Sequence, residues 1–305
     1  MTTSRRTFLK AGALAVTGAA LVPKQLFAEA AKRDTILGLQ LYTVRDDMRT
    51  DPAGTLKQIA GIGFKYVEHA GYSNRKFYGY SAKDFKKLLE SLNLKMKSGH
   101  VSFGLKDWDD TNKDFTDDWK YTVEDAGTVG QEFVITPEMD EQAFKNEDML
   151  MKVLELFNRS GAYCKQHGLQ FGYHNDFGSI PAFNGKGLYD IILDNTNPAL
   201  VAQQLDIGNI YGAGGRPLQI LKKYPGRFKL MHVKDEIKIS KTGEMGNNYE
   251  STLLGKGLLP VKEIIDTARK TGGTKYFIIE QESYQGKAPI DCSKEDFIQM
   301  RKWGF

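Results

Sequence analysis

The fold of this chain is decided by four short stretches: GYHND at 172–176, QLDIGN at 204–209, MHVKDE at 231–236 and FIIEQES at 277–283. In each of them a largely apolar run reaches a His, Asp or Glu at the point where a buried strand is expected to end. The intervals between the stretches are long enough for a helix and a return to the next strand. Side chains at the C-terminal ends of successive parallel strands converge on one face of a closed sheet. The stretches therefore predict that four side chains meet: His174, Asp206, His232 and Glu280.

Two imidazoles and two carboxylates that converge in this way make a divalent-metal site. A buried carboxylate without a partner is costly, so Asp206 requires a cation or several hydrogen-bond donors. His174 and His232 have the alternative of ordinary hydrogen-bonded imidazoles at buried strand ends. Glu282, two residues beyond Glu280, can face the same opening as an outer contact or an ion-pair partner. We therefore assign the metal-ligand role on this strand to Glu280.

Strand-like runs alternate with amphipathic helical patterns along the chain. Eight runs indicate strands, at residues 36–42, 66–69, 95–101, 133–136, 170–174, 201–206, 229–233 and 277–280. Helical patterns cover residues 52–62, 82–92, 115–129, 146–166, 187–194, 217–223, 260–271 and 293–303. This alternation predicts a single-domain α/β protein, a (β/α)8 TIM barrel. The alternative is an open doubly wound sheet, which usually has a glycine-rich phosphate loop where this chain has LYTVRDD.

The first thirty residues have the pattern of a twin-arginine export signal. Residues 4–10 read SRRTFLK, residues 11–22 are apolar, and AEA at 28–30 offers a cleavage site, with cleavage after Ala28 as the alternative. The apolar segment is too short to span a bilayer comfortably. The alternative is a frayed basic N-terminus. The pattern predicts a signal peptide over residues 1–30, a mature barrel domain over residues 31–305 and a periplasmic location.

The charge balance argues against nucleic acid as a partner. The formal net charge is +4, and residues 1–30 hold four of the basic residues and one acidic residue, which leaves +1 for the rest. No basic stripe and no second apolar segment remain, so we expect neither nucleic acid nor membrane as a partner of the mature form. The two cysteines, Cys164 and Cys292, do not make a disulfide framework. The sequence is compatible with a homo-oligomer.

The order of six motifs resembles one known family. The motifs are LGLQLYTVRDDM at 37–48, GFKYVEHAGY at 63–72, GYHND at 172–176, LDIGN at 205–209, MHVKD at 231–235 and IIEQE at 278–282. Together they resemble the sugar phosphate isomerase/epimerase family, the xylose-isomerase-like group of TIM barrels. The resemblance runs over essentially all of residues 35–305. It implies a metal-dependent enzyme whose substrate is a small carbohydrate.

The resemblance also implies the metal and its ligands. In this family a divalent cation, often manganese, binds at the ends of strands five to eight; Zn, Co, Mg and Fe are the other candidates here. The matching positions are His174, Asp206, His232 and Glu280. Such a cation would polarise a sugar carbonyl and a neighbouring hydroxyl and ease enediolate formation. We expect a sugar isomerase or epimerase. We also expect its substrate to be non-phosphorylated, because phosphosugars are cytoplasmic and this chain carries an export signal.

Two positions depart from the family pattern. Epimerases of the family commonly have Glu at the position of His174, and several have a substrate-contacting His at the position of Asn209. Only Glu280 remains of the pair of carboxylates that exchange the sugar proton. Two alternatives therefore stay open. One is a lyase or dehydratase of a ketosugar or ketoglycoside, and the other is a catalytically inactive sugar-binding protein.

Catalysis by Glu280 requires a second proton-transfer group. We expect Lys234 in this role, since it can share a strand face with His232 and a nearby cation would lower its pKa. Glu282 and then His100 are the alternative candidates for this group. The alternative for Lys234 is a structural ion pair with Asp235 or Glu282. The predicted substrate contacts are Glu68, His100, Glu282, Asn209 and Trp108. We assign these contacts because the residues lie at strand ends or in the loops that follow the strands. The alternative for Glu68 is an ion pair with a Lys or Arg.

Overall fold

The computed structural model of the protein describes residues 35–176, 182–183, 185–271 and 273–305. The predicted signal peptide, residues 1–30, lies outside the described residues. Eight parallel strands form one sheet: β1 (Ile36–Gln40), β2 (Tyr66–His69), β3 (Lys95–Gly99), β4 (Phe133–Thr136), β5 (Gln170–His174), β6 (Val201–Asp206), β7 (Phe228–Val233) and β8 (Tyr276–Ile279). Their hydrogen-bonded order is β3-β2-β1-β8-β7-β6-β5-β4.

The two edge strands of this sheet meet and close it into a barrel. His100, just past β3, forms a parallel bridge with Ile135 of β4. The next backbone N–H, of Val101, donates to the Ile135 carbonyl at 2.9 Å. The predicted TIM barrel is therefore confirmed, and the open doubly wound sheet is excluded.

Helices of the described residues connect the strands: α1 (Pro52–Ile62), α2 (Ala82–Ser91), α3 (Asp117–Val129), α4 (Glu147–Gln166), α5 (Leu188–Asn195), α6 (Pro217–Lys223), α7 (Val261–Lys270) and α8 (Pro289–Lys302). Several begin at side-chain caps. Asp51 accepts the Gly54 N–H at 2.9 Å, and Asn146 accepts the Met149 N–H at 2.9 Å. These caps satisfy N–H groups that the first helical turn leaves free.

Several element boundaries differ from the sequence-based prediction. β1 ends at Gln40 rather than at residue 42, because Leu41–Val44 forms a 3-10 turn in which the Gln40 side chain accepts the Tyr42 N–H. β8 ends at Ile279, so Glu280 is the first residue beyond the strand. Helix α8 starts at Pro289, earlier than predicted, because proline suits the first helical turn.

The barrel interior is divided into an apolar and a polar part. Residues of β4, β6, β7 and β8 form a separate apolar cluster: Phe133, Ile135, Ala202, Leu230, Tyr276 and Ile278. Toward the C-terminal ends the inward side chains become polar, and Gln40, Glu68, Ser98 and Gln204 are buried there. The apolar cluster therefore plugs the barrel, and the polar side chains form the floor of an opening at the C-terminal face.

Small antiparallel hairpins follow several strands at this C-terminal face. One pairs Trp108–Asp109 with Asp114–Phe115 after β3, and a larger one pairs Asp235–Lys238 with Tyr249–Thr252 after β7. Among the described residues, none of the helices has the length and apolar character that crossing a membrane requires. Cys164 and Cys292 are both buried free thiols.

A candidate metal centre at the barrel mouth

Four side chains from consecutive strands meet at the C-terminal end of the barrel. His174, Asp206, His232 and Glu280 each offer one donor atom, and these atoms all lie within 4.8 Å of one another. His174 Nε2 is 3.6 Å from Asp206 Oδ2, and His232 Nδ1 is 2.9 Å from Glu280 Oε2. Bonds of about 2.0–2.3 Å to one cation bring donors to separations of roughly 3–4 Å. The four side chains can therefore share one metal ion after small movements.

The barrel strands fix the positions of these donors. His174 is the last residue of β5 and Asp206 the last of β6, while Asp206 and His232 are register partners across β6 and β7. Glu280 follows directly after β8. Donors held by strands at a barrel mouth are more precisely placed than donors on loops.

The second polar atom of three of these side chains is already engaged. His174 Nδ1 is 3.2 Å from the Pro137 carbonyl, and His232 Nε2 is 2.6 Å from Glu68 Oε1. Asp206 Oδ1 accepts the Asn209 N–H at 2.8 Å. Such outer contacts are typical of metal ligands because they fix the ring or carboxylate orientation. They leave His174 Nε2, His232 Nδ1 and Asp206 Oδ2 directed at the centre.

Two of the inward atoms lack a hydrogen bond. His174 Nε2 and Asp206 Oδ2 are buried and have no hydrogen-bond partner among the described residues. Buried polar atoms without a partner destabilise a fold by about 1–3 kcal/mol each, so such atoms usually mark a missing ion or water. Two imidazole nitrogens and two carboxylate oxygens suit Zn, Mn, Fe or Co. The residues present therefore fit a divalent cation.

The charges of the four side chains also fit a divalent cation. Burial alone would raise the pKa of Asp206, but Lys234 is the main group that brings it well below its usual value. Burial would likewise raise the pKa of Glu280, whereas His232 and Lys234 lower it. For His232, burial lowers the pKa, and the carboxylates of Glu280 and Glu68 outweigh it and raise the pKa well above its usual range. The carboxylates thus hold a proton on His232 that a divalent cation would replace.

Glu68 lies beneath the metal centre rather than at the sugar pocket. Its side chain is fully buried and accepts hydrogen bonds from Gln40 Nε2 at 2.8 Å and Gln204 Nε2 at 2.9 Å. Ser98 Oγ also donates to it. Glu68 thus contacts His232 from below, and its predicted contact with substrate stays a prediction that its burial does not favour. Its carboxylate pairs with imidazoles, not with the Lys or Arg that the sequence analysis considered.

Lys234 is fully buried among carboxylates. Its ammonium donates to Glu282, donates to Asn209 Oδ1 at 3.0 Å, and lies 3.7 Å from Asp206 Oδ2 and 3.6 Å from Glu280 Oε2. Burial would lower its pKa, but Glu282 and the other carboxylates raise it well above its usual value. The carboxylates thus oppose the lowering of this pKa that a bound cation is expected to cause, and that lowering stays a prediction. Lys234 forms the ion pair with Glu282 that was the alternative.

A cavity of about 570 Å³ opens above the metal centre. His174 and Glu280 line it, as do three of the predicted substrate contacts, His100, Asn209 and Glu282. Trp108 does not line it: its ring packs against Phe115 and the Arg159 guanidinium instead. The hairpin after β3 turns this ring to the outer helices, and a contact of Trp108 with substrate stays a prediction that the position of its ring does not favour.

Three carboxylates that line the cavity were missed by the sequence analysis: Glu138, Asp176 and Glu244. Asp176 lies two residues past His174, and Glu138 two residues past the end of β4, so their strand-end position was a usable signal. Glu244 lies in the long hairpin after β7, where no periodicity indicates which way a side chain points. Among the described residues, neither Lys nor Arg lines this cavity.

The sequence has measurable similarity to characterised proteins. Residues 56–303 match the family model described as a xylose isomerase-like TIM barrel. An inosose dehydratase of Clostridium perfringens is 27% identical over 256 residues, which cover 80% of this chain and 82% of that protein.

Solved structures share the fold. A sugar phosphate isomerase/epimerase of Parabacteroides distasonis superposes with a TM-score of 0.73 at 23% identity, covering 88% of this chain and 96% of that one. The IOLI protein, solved with a zinc atom, superposes with a TM-score of 0.66 at 15% identity, covering 88% and 99%. The matched residues hold seven of the eight strands and all four candidate ligands. The chain therefore belongs to the xylose isomerase-like TIM barrel family.

Proposed function

We propose that the protein is a divalent-metal-dependent dehydratase of a non-phosphorylated polyhydroxy ketone. The observation that carries this proposal is the cluster of four buried donor atoms within 4.8 Å, which opens directly into a cavity of about 570 Å³. The similarity to inosose dehydratase over most of both chains supports the reaction class. This similarity favours the lyase or dehydratase, which the sequence left open as an alternative, over the isomerase or epimerase, which was the main prediction.

Elimination begins with removal of a proton from the carbon next to the ketone. When bound, the cation would supply a Lewis acid that makes this proton more acidic. Glu280 is one of its ligands and therefore a modest base. We assign the base to Glu282, which lines the cavity and is held by the buried Lys234 ammonium. Glu282 takes the proton and passes it to the departing β-hydroxyl, so that water leaves and a carbon–carbon double bond remains.

The charge of the cavity supports a substrate without phosphate. Its lining includes five carboxylate side chains, Glu138, Asp176, Glu244, Glu280 and Glu282, and neither Lys nor Arg among the described residues. A phosphate group there would meet like charges at short range in a partly buried site. Neutral hydroxyl groups, in contrast, donate hydrogen bonds to carboxylates.

A ketoglycoside lyase is the second candidate. A groove of about 590 Å³ adjoins the cavity at Tyr42 and Ala70, and Tyr78, Arg45 and Met48 are among its other lining residues. This groove has room for a second ring, so an alcohol joined through a glycosidic oxygen can be the leaving group instead of water. The first step at Glu282 is the same in both reactions.

The experiment is metal analysis of the purified protein, followed by NMR of inososes, ketosugars and ketoglycosides incubated with it in D₂O. An unsaturated product formed with release of water supports the dehydratase, and one formed with release of an alcohol supports the lyase. Deuterium uptake without elimination would replace both with an isomerase or epimerase. Absence of any reaction while the sugars still bind would leave a binding protein.

A further inference from the structure

The hairpin after β7 brings a carboxylate into the cavity above the metal centre. Its strands Asp235–Lys238 and Tyr249–Thr252 pair antiparallel, and Glu244 lies in the connecting turn. The turn depends on Gly243, since a Cβ there would lie 1.7 Å from the Tyr249 carbonyl oxygen. The close approach of the two backbones at Gly243 therefore fixes where the next residue, Glu244, enters the cavity.

One oxygen of Glu244 is held and the other is free. Oε1 accepts the Ser251 N–H at 2.9 Å. Oε2 is buried and has no hydrogen-bond partner among the described residues. The Ser251 hydroxyl in turn accepts the N–H of Glu282 at 2.7 Å, so the same residue positions both carboxylates. Glu244 Oε1 also lies 4.0 Å from the Lys234 ammonium.

We propose that Glu244 is a specificity-determining residue that accepts a hydrogen bond from one hydroxyl of the polyol substrate at Oε2. This inference rests on the proposed function for the class of substrate. If the bound polyol lacks this hydroxyl, Glu244 Oε2 stays buried without a hydrogen-bond donor, which weakens the complex. The site therefore binds such a polyol much more weakly. Glu244 thereby selects for hydroxylation at one ring position, separately from the chemistry at Glu282.

The test is calorimetric binding of unreactive polyols to the metal-loaded protein, with myo-inositol, its monodeoxy derivatives and xylitol as probes. We expect the wild type to bind at least one fully hydroxylated probe about tenfold to a hundredfold more tightly than the matching deoxy compound. Glu244→Ala should lose this discrimination. Glu244→Gln, whose carbonyl oxygen can keep the Ser251 contact, should reduce the discrimination while retaining the thermal stability of the wild type.

Glu250→Gln is the matched control, because Glu250 belongs to the same hairpin and its carboxylate accepts from Gln285 Nε2 outside the cavity. It should bind every probe as the wild type does. Discrimination that persists in Glu244→Ala, or a wild type that binds none of the probes, would overturn the inference. Discriminating polyol binding in a protein that dehydrates no ketone would retain the role of Glu244 and reject the proposed dehydratase.

Discussion

Glu68 and His232 join the floor of the barrel to the candidate metal centre. His232 Nε2 lies 2.6 Å from Glu68 Oε1, and both side chains are fully buried. Burial alone would raise the pKa of Glu68, but His100 and His232 bring it well below its usual value. A carboxylate that holds the outer nitrogen of a ligating imidazole fixes the ring and increases its basicity.

We expect Glu68→Gln to weaken metal binding roughly 10–100-fold, the range typical for loss of an outer contact to a ligand. The amide would also face donors from Gln40 and Gln204, so the thermal stability should fall. Titration with Zn²⁺ or Mn²⁺ measures the affinity. Ser98→Ala is the matched control, since Ser98 donates to the other carboxylate oxygen. Equal metal affinity in Glu68→Gln and the wild type would remove the supporting role.

Asp206→Asn tests the metal centre itself. The amide oxygen can keep the contact with the Asn209 N–H, while the charge of the inward Oδ2 atom is lost. We expect a loss of metal affinity larger than the roughly 10–100-fold effect of an outer contact. Metal content after dialysis against a chelator is the readout. Asp176→Asn, which changes another cavity carboxylate outside the four donors, should retain the metal; a metal-replete Asp206→Asn protein would contradict the proposed ligand set.

Lys234→Met should reduce turnover on the order of a hundredfold or more while metal is retained. The reason is that Glu282 loses the ammonium that holds it, and Asp206, Glu280 and Glu282 are left with less compensating charge. Steady-state kinetics and metal analysis of the same preparation give the two readouts. Lys238→Met, at an exposed position of the following hairpin, is the control. Near-normal turnover would show that Lys234 has only a structural role.

Asp296 makes stability depend on pH. Burial raises the pKa of this carboxyl in α8 to about 7, although the Leu254 N–H lowers it. The folded-state value lies above the unfolded one, so the stabilising effect of protonation is complete below about pH 4 and is lost as pH rises to about 7. We expect Asp296→Asn to be more stable than the wild type by roughly 2–4 kcal/mol at pH 8, and similar to it near pH 4. Denaturant unfolding at both pH values checks this, with the exposed Glu263→Gln as control.

Export remains a proposal that rests on SRRTFLK at 4–10 and AEA at 28–30. We expect the mature protein to begin near Ala31 after transport by the twin-arginine route. Intact-mass analysis of protein from the native periplasm measures the start. Replacement of Arg5 and Arg6 by Lys should leave the precursor in the cytoplasm, and export that is unaffected by this change would argue for another route.

The strands and the four inward donors were predictable because they follow local rules. An apolar run that ends in a His, Asp or Glu identifies a strand end, and the closed sheet then places successive strand ends together. Asp206 and His232 illustrate this, since each motif predicted one side chain and the register between β6 and β7 brought the two side by side.

The other roles depend on contacts between distant elements. Burial lowers the pKa of Lys234, and the carboxylates of Glu282, Asp206, Glu280 and Glu244 raise it. Strand-end positions bring the first three carboxylates near Lys234, but Glu244 lies in the turn of a hairpin, where no such rule applies. Glu68 lies at a strand end, as the residues that line the cavity do, but its side chain is fully buried below the cavity and contacts the candidate metal ligand His232. The sequence does not show how deep a strand-end side chain lies. Glu244 depends on a backbone turn at Gly243, which the sequence indicates only as one glycine among several in a loop.

All four donors belong to the ends of β5 to β8, while His100 and Glu138 reach the cavity from the ends of β3 and β4. If the proposed function holds, one side of the barrel would bind the cation, and the other side together with the hairpin after β7 would contact the carbohydrate. Because the two tasks are carried by separate segments of chain, loops on the recognition side can diverge without disturbing coordination. Exchange of residues 70–81 or 239–248 between members of the family should consequently transfer substrate preference and leave the metal affinity of the recipient unchanged.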